Sequence, residues 1–340
     1  MVGAADGAAG DVAGDAIGEV IAAFVARFPA RIHSCYTLGS YADASAIAAS
    51  DLDLTIVFAG ALSDAERAAA AALAASCAES SAVELDIELT DERELAAGAS
   101  PNFKSGSALV YGEDIRERTP LMSLPAWTRD RMHSSWWRIA RLFARPAVIA
   151  LPLEYPEPAD AFRGYTRRML RMPDGAAVPC TRDLIRLVGW AATGLLALQC
   201  GVYAARKRDV HTLYRERIGG EWAELVAETY TLCRQRWGYL IPDAPVERIQ
   251  VQRLCDQMLG FERAFAAIYR PYLLGELASA DPAAARFAAE VMARAPLRDD
   301  AVIAALETIS ARSNDEQSAT QARAALERVK SETAAKRSRP

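Results

Sequence analysis

The chain has 340 residues, of which 51% are hydrophobic, and a formal net charge of −5 at pH 7. This length and composition allow a sizeable core and predict two domains. The acidic balance disfavours binding to nucleic acid, since general nucleic-acid binders are usually basic. The six cysteines form no C-x-x-C pair and no cluster with histidine, so neither a zinc site nor a disulfide framework is expected.

Two further classes are disfavoured by the hydrophobic pattern. No window approaches 18 uninterrupted apolar residues, so no membrane span is predicted. The N-terminal residues lack the basic region and long apolar core of a signal peptide, and we expect a cytoplasmic protein. Residues 1–12 are small and polar, and are predicted to be disordered.

The first predicted elements are one helix and two strands. From Asp15 to Phe28, apolar residues recur at helical spacing, and Pro29 ends the run. Looser alternation over 31–38 predicts a strand, and the apolar run over 51–58 predicts a second strand.

A second helix and two more strands complete the predicted α/β unit. Ser63 precedes an Ala-rich run that extends to about Cys77, with Glu66 in the position of a capping box. Strict alternation over 83–89 predicts a strand with acids on one face, and 107–111 predicts a fourth strand. The order is α-β-β-α-β-β, which indicates a compact α/β domain.

The remaining chain is predicted to be all-α. Residues 125–145 have aromatic and apolar residues at helical spacing, and a Pro-rich linker follows them. Further helical patterns follow at about 160–172, 181–202, 207–217, 221–237, 247–271, 283–294 and 298–311. The predicted boundaries are therefore an α/β domain over 13–120, an α-helical domain over 121–312, and a flexible or frayed helical tail over 313–340.

The chemistry is predicted from two carboxylates at the start of the second strand. Asp51 and Asp53 are spaced i, i+2, so in a strand they project from the same face. Adjacent carboxylates repel each other unless a cation joins them. A divalent ion held by oxygen ligands, with Mg²⁺ as the expected ion, is therefore predicted at this point.

A glycine and a serine precede this pair by ten intervening residues. Gly39 lacks a Cβ atom, so the backbone there can approach a phosphate closely. The Ser40 hydroxyl and the following backbone N–H groups can donate hydrogen bonds to phosphate oxygens. The Gly39-Ser40 turn is therefore predicted to bind the phosphates of a nucleotide.

Together these motifs resemble the nucleotidyltransferase superfamily related to DNA polymerase beta. The resemblance covers roughly residues 31–112 and includes Gly39-Ser40, Asp51-x-Asp53 and the apolar-acid-apolar triplet Leu85-Asp86-Ile87. It implies an α/β (α+β) core with a short mixed sheet. It also implies transfer of a nucleoside monophosphate from an NTP, with ATP as the expected donor, to an acceptor hydroxyl. Two Mg²⁺ ions would be held by Asp51, Asp53 and a third acid.

The third acid has two candidates. Asp86 matches the apolar-Asp-apolar triplet of the superfamily and is the first choice. Glu84 lies on the same face of the strand, and the resemblance to aminoglycoside-modifying members makes it the alternative. Glu88 lies on that face as well, further along the strand.

The helical part is similar in organisation to that of aminoglycoside adenylyltransferases. An apolar helix is followed by the basic-acidic segment Arg206-Lys207-Arg208-Asp209, and the resemblance implies that Lys207 or Arg208 contacts the nucleotide phosphates. It also implies that this domain closes over the nucleotide and holds a small polar acceptor such as an aminoglycoside or aminocyclitol. Transfer of AMP to a protein or tRNA, or a non-catalytic nucleotide-binding role, are the alternatives.

Overall fold

The computed structural model of the protein describes residues 3–172, 175–311 and 315–337. The chain divides into two compact units, one formed by residues 1–127 and 203–210 and the other by residues 128–202 and 211–340. The chain therefore returns to the first unit over Tyr203–Val210, which we call the return segment. The sequence had assigned these residues to the helical part.

The first unit has a mixed four-stranded sheet with helices around it. Its strands lie in the order β3-β2-β1-β4, and β1 is antiparallel to both of its neighbours, whereas β2 and β3 are parallel. In chain order the elements are α1 (Gly3–Arg27), β1 (Ile32–Leu38), α2 (Gly39–Ala42), β2 (Leu52–Phe58), α3 (Asp64–Ser80), β3 (Leu85–Asp91), α4 (Glu92–Ala97), α5 (Pro101–Gly106) and β4 (Ala108–Gly112). The predicted mixed α/β core is confirmed.

The two faces of β2 have different surroundings. One face carries Leu52, Leu54, Ile56 and Phe58, which are fully or almost fully buried in a core shared with α1 and α3. The opposite face carries Asp53, which is partly exposed, and Thr55 and Val57, which are buried. Val57 packs there in a cluster with side chains of α4 and α5. Asp53, near the start of β2, is therefore the more accessible polar side chain on this face.

The structure differs from the prediction at the N-terminus. Helix α1 begins at Gly3 rather than at Asp15, so residues 3–12, predicted to be disordered, are helical. This stretch is rich in alanine, which has the highest helix propensity of the amino acids. Met1 and Val2 lie outside the described residues.

The later elements are mainly helical. In chain order they are α6 (Leu124–Arg141), β5 (Ile149–Ala150), β6 (Met169–Arg171), β7 (Ala177–Pro179), α7 (Arg182–Cys200), α8 (Val210–Arg217), α9 (Ala223–Glu228), α10 (Pro245–Leu277), α11 (Pro282–Arg294), β8 (Leu297–Arg298), α12 (Asp300–Ser310) and α13 (Glu316–Arg337). Helix α9 continues into a π-helical stretch over Thr229–Arg236. Seven of the eight helical runs predicted from residue 125 onward correspond to observed helices.

Two predictions for this part are wrong. The domain is not all-α, because β5 pairs with β8 and β6 pairs with β7. The predicted helix over 160–172 is replaced by turns and by β6, with Arg163 and Gly164 at φ +59° and +83°. A left-handed residue ends a right-handed helix. Strands of two or three residues are too short for their periodicity to be read.

The C-terminal segment is also more ordered than predicted. Helix α13 packs against α11 and α12 and buries Ala319, Ala322, Leu326 and Val329, so the prediction of a flexible or frayed tail is wrong for these residues. These side chains recur three and four residues apart, which places them on one face of a helix. Residues 312–314 and 338–340 of the predicted tail lie outside the described residues.

Helix α7 is apolar and largely internal. By length and hydropathy it is the one described helix that meets the criteria for a membrane span, but 61% of its apolar window is buried inside the structure. Leu184, Leu187 and Leu196 on this helix are fully buried. Such burial is typical of a core helix.

A buried histidine lies in the second unit. His133 on α6 is fully buried, and its Nδ1 atom lies 2.7 Å from the hydroxyl of Tyr269 on α10. Burial, with a smaller effect of the Arg129 charge, lowers the pKa of His133 to about 3. The folded protein therefore holds this imidazole neutral at a pH at which an unfolded chain would protonate it.

This burial predicts a pH-dependent loss of stability that His133→Gln removes. Below the ordinary histidine pKa of 6.5, the unfolded chain binds a proton that the folded His133 excludes until about pH 3. The free energy of unfolding should fall by about 1.4 kcal/mol per pH unit from this residue alone. Urea unfolding of the wild type and the variant at pH 7.5 and 5.0 measures the effect. The free energy of unfolding of the wild type minus that of the variant should decrease by about 2 kcal/mol from pH 7.5 to pH 5.0. An advantage that does not change with pH would contradict the prediction.

Candidate active site

The two carboxylates predicted from the sequence lie at the start of β2. Asp51 immediately precedes the strand and Asp53 is its second residue, so both project from the face opposite the α1–α3 core. Asp51 is buried, with 8% exposed, whereas Asp53 is partly exposed. Burial, with a further contribution from the Asp51 charge, raises the pKa of the neighbouring Tyr41.

Gly39 lies against the carboxylate of Asp53. It follows β1 as the first residue of α2 and has φ +62°, a conformation that L side chains rarely adopt. A Cβ atom at this position would lie 2.6 Å from Oδ2 of Asp53. The backbone conformation therefore favours glycine here, and a Cβ atom would displace the Asp53 carboxylate. Ser40 follows in the same short helix and is partly exposed.

The acids of β3 form a row beside β2. Asp86 is the register partner of Asp53 in the parallel β2–β3 pair, so the two side chains lie next to each other on one face. Glu84 precedes β3, and its carbonyl oxygen accepts a hydrogen bond from the Leu52 N–H at 2.8 Å. Asp86 and Glu84 are both exposed. The register thus favours Asp86 as the acid beside Asp53, with Glu84 as the alternative.

Glu88 has a different environment from Asp86. Its carboxylate accepts a hydrogen bond from the Thr55 hydroxyl at 3.2 Å, and Thr55 is its register partner on β2. This side chain is therefore engaged further along the sheet, away from the start of β2. It provides a comparison for the acids at the site.

The return segment brings Lys207 to the same carboxylate. The Lys207 ammonium lies 3.8 Å from Oδ2 of Asp53, the oxygen that also faces Gly39. Lys207 begins a 3₁₀ turn, Lys207–Asp209, that leads into α8. Of the two basic residues predicted to bind phosphates, Lys207 is the one that faces the paired acids.

Three contacts outside this turn attach the return segment to the first unit. The Tyr203 hydroxyl donates to the carbonyl oxygen of Met122 at 2.7 Å, and the Arg206 guanidinium donates to that of Ser105 at 3.2 Å. A Cβ atom on Gly106 would lie 3.0 Å from the carbonyl oxygen of Ala205, so α5 and the segment pack closely. The backbone that carries Lys207 is therefore held in place.

Arg208 anchors the segment rather than facing the acids. Its Nη1 atom donates to the Asp43 carbonyl oxygen at 3.2 Å, and its Nε atom lies 3.5 Å from the Asp43 carboxylate. That carboxylate also accepts from the backbone N–H and hydroxyl of Ser45. Asp43 was not among the residues predicted from the sequence; the signal for it was the Asp-x-Ser pattern of Asp43 and Ser45, which is typical of a turn.

The donor set suits a magnesium ion that is completed by a nucleotide. Asp51, Asp53 and Asp86 offer hard carboxylate oxygens, the ligands that Mg²⁺ prefers. Within the described residues, no group of three or more His, Cys, Asp or Glu side chains is arranged to hold a metal ion. Mg²⁺ commonly takes only one or two protein carboxylates, together with substrate phosphates and water. The carboxylates at the start of β2 fit that mode of binding.

Comparisons with known proteins show a distant likeness to a solved structure. No protein-family model and no curated protein matches the chain. Among solved structures, the chain matches spectinomycin adenyltransferase AAD(9) from Enterococcus faecialis, determined with ATP and spectinomycin, with a TM-score of 0.42 and 12% identity. The match covers 72% of this chain and 98% of the other.

Proposed function

We propose that the protein is a Mg²⁺-dependent nucleotidyltransferase that moves AMP from ATP to a hydroxyl of a small polar acceptor and releases pyrophosphate. The observation that carries the proposal is the convergence of three groups on Asp53. Gly39 and Lys207 face its Oδ2 atom, and Asp86 lies beside it on the next strand. Carboxylates that can bind a metal ion, a lysine and a close-approach glycine are groups that commonly bind a triphosphate and its metal.

Each of these residues has a distinct role in the proposed reaction. Asp51 and Asp53 hold Mg²⁺, with Asp86 as the third acid and Glu84 as its alternative. When bound, Mg²⁺ lowers the pKa of the acceptor hydroxyl and offsets charge on the departing pyrophosphate. Gly39 lets the backbone and the Ser40 hydroxyl approach the phosphates, and the Lys207 ammonium balances their negative charge.

The proposed acceptor is a cationic small molecule of the aminoglycoside or aminocyclitol type. The chain has a net charge of −5, and Glu84 and Asp86 lie next to the proposed catalytic carboxylates. Acids in this position attract positively charged acceptors. This charge pattern favours a small amine-bearing acceptor over tRNA.

The proposal is tested by turnover with defined acceptors. Purified protein, ATP and Mg²⁺ are incubated with a panel of aminoglycosides and aminocyclitols, and pyrophosphate release is followed together with the mass of each acceptor. We expect release that depends on both Mg²⁺ and one acceptor, which gains one AMP. If pyrophosphate is released and a protein or tRNA gains AMP instead, the proposed class of acceptor is wrong. Failure to bind Mg·ATP would overturn the proposed function.

A further inference from the structure

The contact between Lys207 and Asp53 has a consequence for metal binding. Oδ2 of Asp53 lies close to Gly39 and 3.8 Å from the Lys207 ammonium. A divalent cation that coordinates Asp53 would therefore meet a positive charge already placed at the same oxygen. Two cations a few ångströms apart repel each other. This repulsion lowers the affinity of the site for the metal ion, because the metal ion can dissociate whereas the lysine is part of the chain.

Lysine is well suited to such competition. Lys207 is one of only four lysines among 39 basic residues in this otherwise arginine-rich chain. Its ammonium is a compact point charge on a flexible stem, whereas a guanidinium is a broad planar group. A compact ammonium can lie where a metal ion would bind and can leave by rotation of the side chain alone.

The ion pair between Lys207 and Asp53 can also break and re-form. The Lys207 side chain is 52% exposed and that of Asp53 is 25% exposed, and ion pairs at this exposure contribute little net stability. The backbone on both sides of Lys207 is meanwhile held by the Arg206–Ser105 and Arg208–Asp43 contacts. The ammonium can therefore exchange partners while its attachment point remains fixed.

We propose that Lys207 competes with the divalent cation for Asp53, so that the cation binds together with the nucleotide and not alone. This inference rests on the proposed function. The triphosphate supplies an alternative partner for the ammonium, and its arrival frees Asp53 for the cation that the nucleotide carries. Lys207 thereby acts as a positioning residue that makes metal binding depend on the donor substrate.

The test compares Mn²⁺ binding with and without nucleotide. Free Mn²⁺ is titrated by electron paramagnetic resonance against the wild type, Lys207→Met and Lys330→Met, first alone and then with a non-hydrolysable ATP analogue. Without nucleotide, Lys207→Met should bind Mn²⁺ about tenfold more tightly than the wild type, because a neighbouring positive charge is gone. With nucleotide, the same variant should bind the Mn²⁺ complex about tenfold more weakly, because a charged contact to phosphate is lost.

The opposite signs separate this role from a structural one. Lys330 is exposed on α13 and Lys330→Met removes the same charge, so this control should match the wild type in both titrations. Lys207→Gln serves as a second variant, and thermal unfolding verifies that each protein is folded.

Equal Mn²⁺ affinity of the wild type and both Lys207 variants without nucleotide would overturn the inference. In that case Asp53→Asn shows whether the proposed function also fails. Weaker binding of the Mn²⁺–nucleotide complex by Asp53→Asn leaves the function standing, whereas unchanged binding overturns it too.

Discussion

Asp53→Asn is expected to lower kcat/KM for pyrophosphate release by at least about a thousandfold, or about 4 kcal/mol of transition-state stabilisation. Asparagine keeps the size of the side chain but removes the negative charge that faces Lys207 and that would bind Mg²⁺. Because the side chain is partly exposed and lies at the start of β2, the fold should tolerate the change. Steady-state kinetics with ATP and the acceptor, together with thermal unfolding, measure both effects.

A matched control lies on the neighbouring strand. Glu88→Gln changes an acid on the same face of β3 that accepts a hydrogen bond from Thr55, and activity should stay within about threefold of the wild type. Asp86→Asn and Glu84→Gln then identify the third acid, because only the true metal ligand should reduce the rate by orders of magnitude. Retention of full metal-dependent activity by Asp53→Asn would refute the site.

Gly39→Ala is expected to lower activity by about a hundredfold through displacement of Asp53. The new Cβ atom would lie 2.6 Å from Oδ2 of that carboxylate, well inside van der Waals contact. A shift of about 1 Å in a catalytic group can reduce a rate by this amount. The left-handed backbone at φ +62° adds a loss of stability of about 1–2 kcal/mol. Kinetics and urea unfolding of the variant separate the two effects.

Gly220 offers the control for this substitution. It has φ +75°, and a Cβ atom there would meet nothing within 4 Å. Gly220→Ala should therefore show a comparable loss of stability with activity close to that of the wild type. If Gly39→Ala retained the activity of this control, the close approach to Asp53 would have no catalytic importance.

The sequence predicted best what depends on neighbouring residues. The four strands of the first sheet were located to within about two residues, because alternation along a strand is visible in the sequence. The helix after Ser63 was recognised from its capping box, which the structure shows with both hydrogen bonds. The Asp51-x-Asp53 pair and Gly39 were also identified from local spacing and residue chemistry. These features require only short-range information.

Errors arose where local patterns were weak. Strands β5 to β8 are two or three residues long. Helix α13 buries alanines together with Leu326 and Val329, in a stretch whose overall composition is charged and polar. The helix predicted over 160–172 failed because Arg163 adopts φ +59°, which nothing in its immediate sequence requires. In each case packing with distant residues decided the local conformation.

By itself, the sequence predicted the residues of the site: paired carboxylates at a strand start, a glycine for close approach and, through the family resemblance, Lys207 or Arg208. Tertiary structure alone decided which groups meet. The parallel register places Asp86 beside Asp53, and the return segment brings Lys207 rather than Arg208 to that carboxylate. The reason is physical. Strand register depends on the packing of the whole unit, and so does the folding back of a segment that lies more than 150 residues further along the chain. Local residue patterns do not encode this packing.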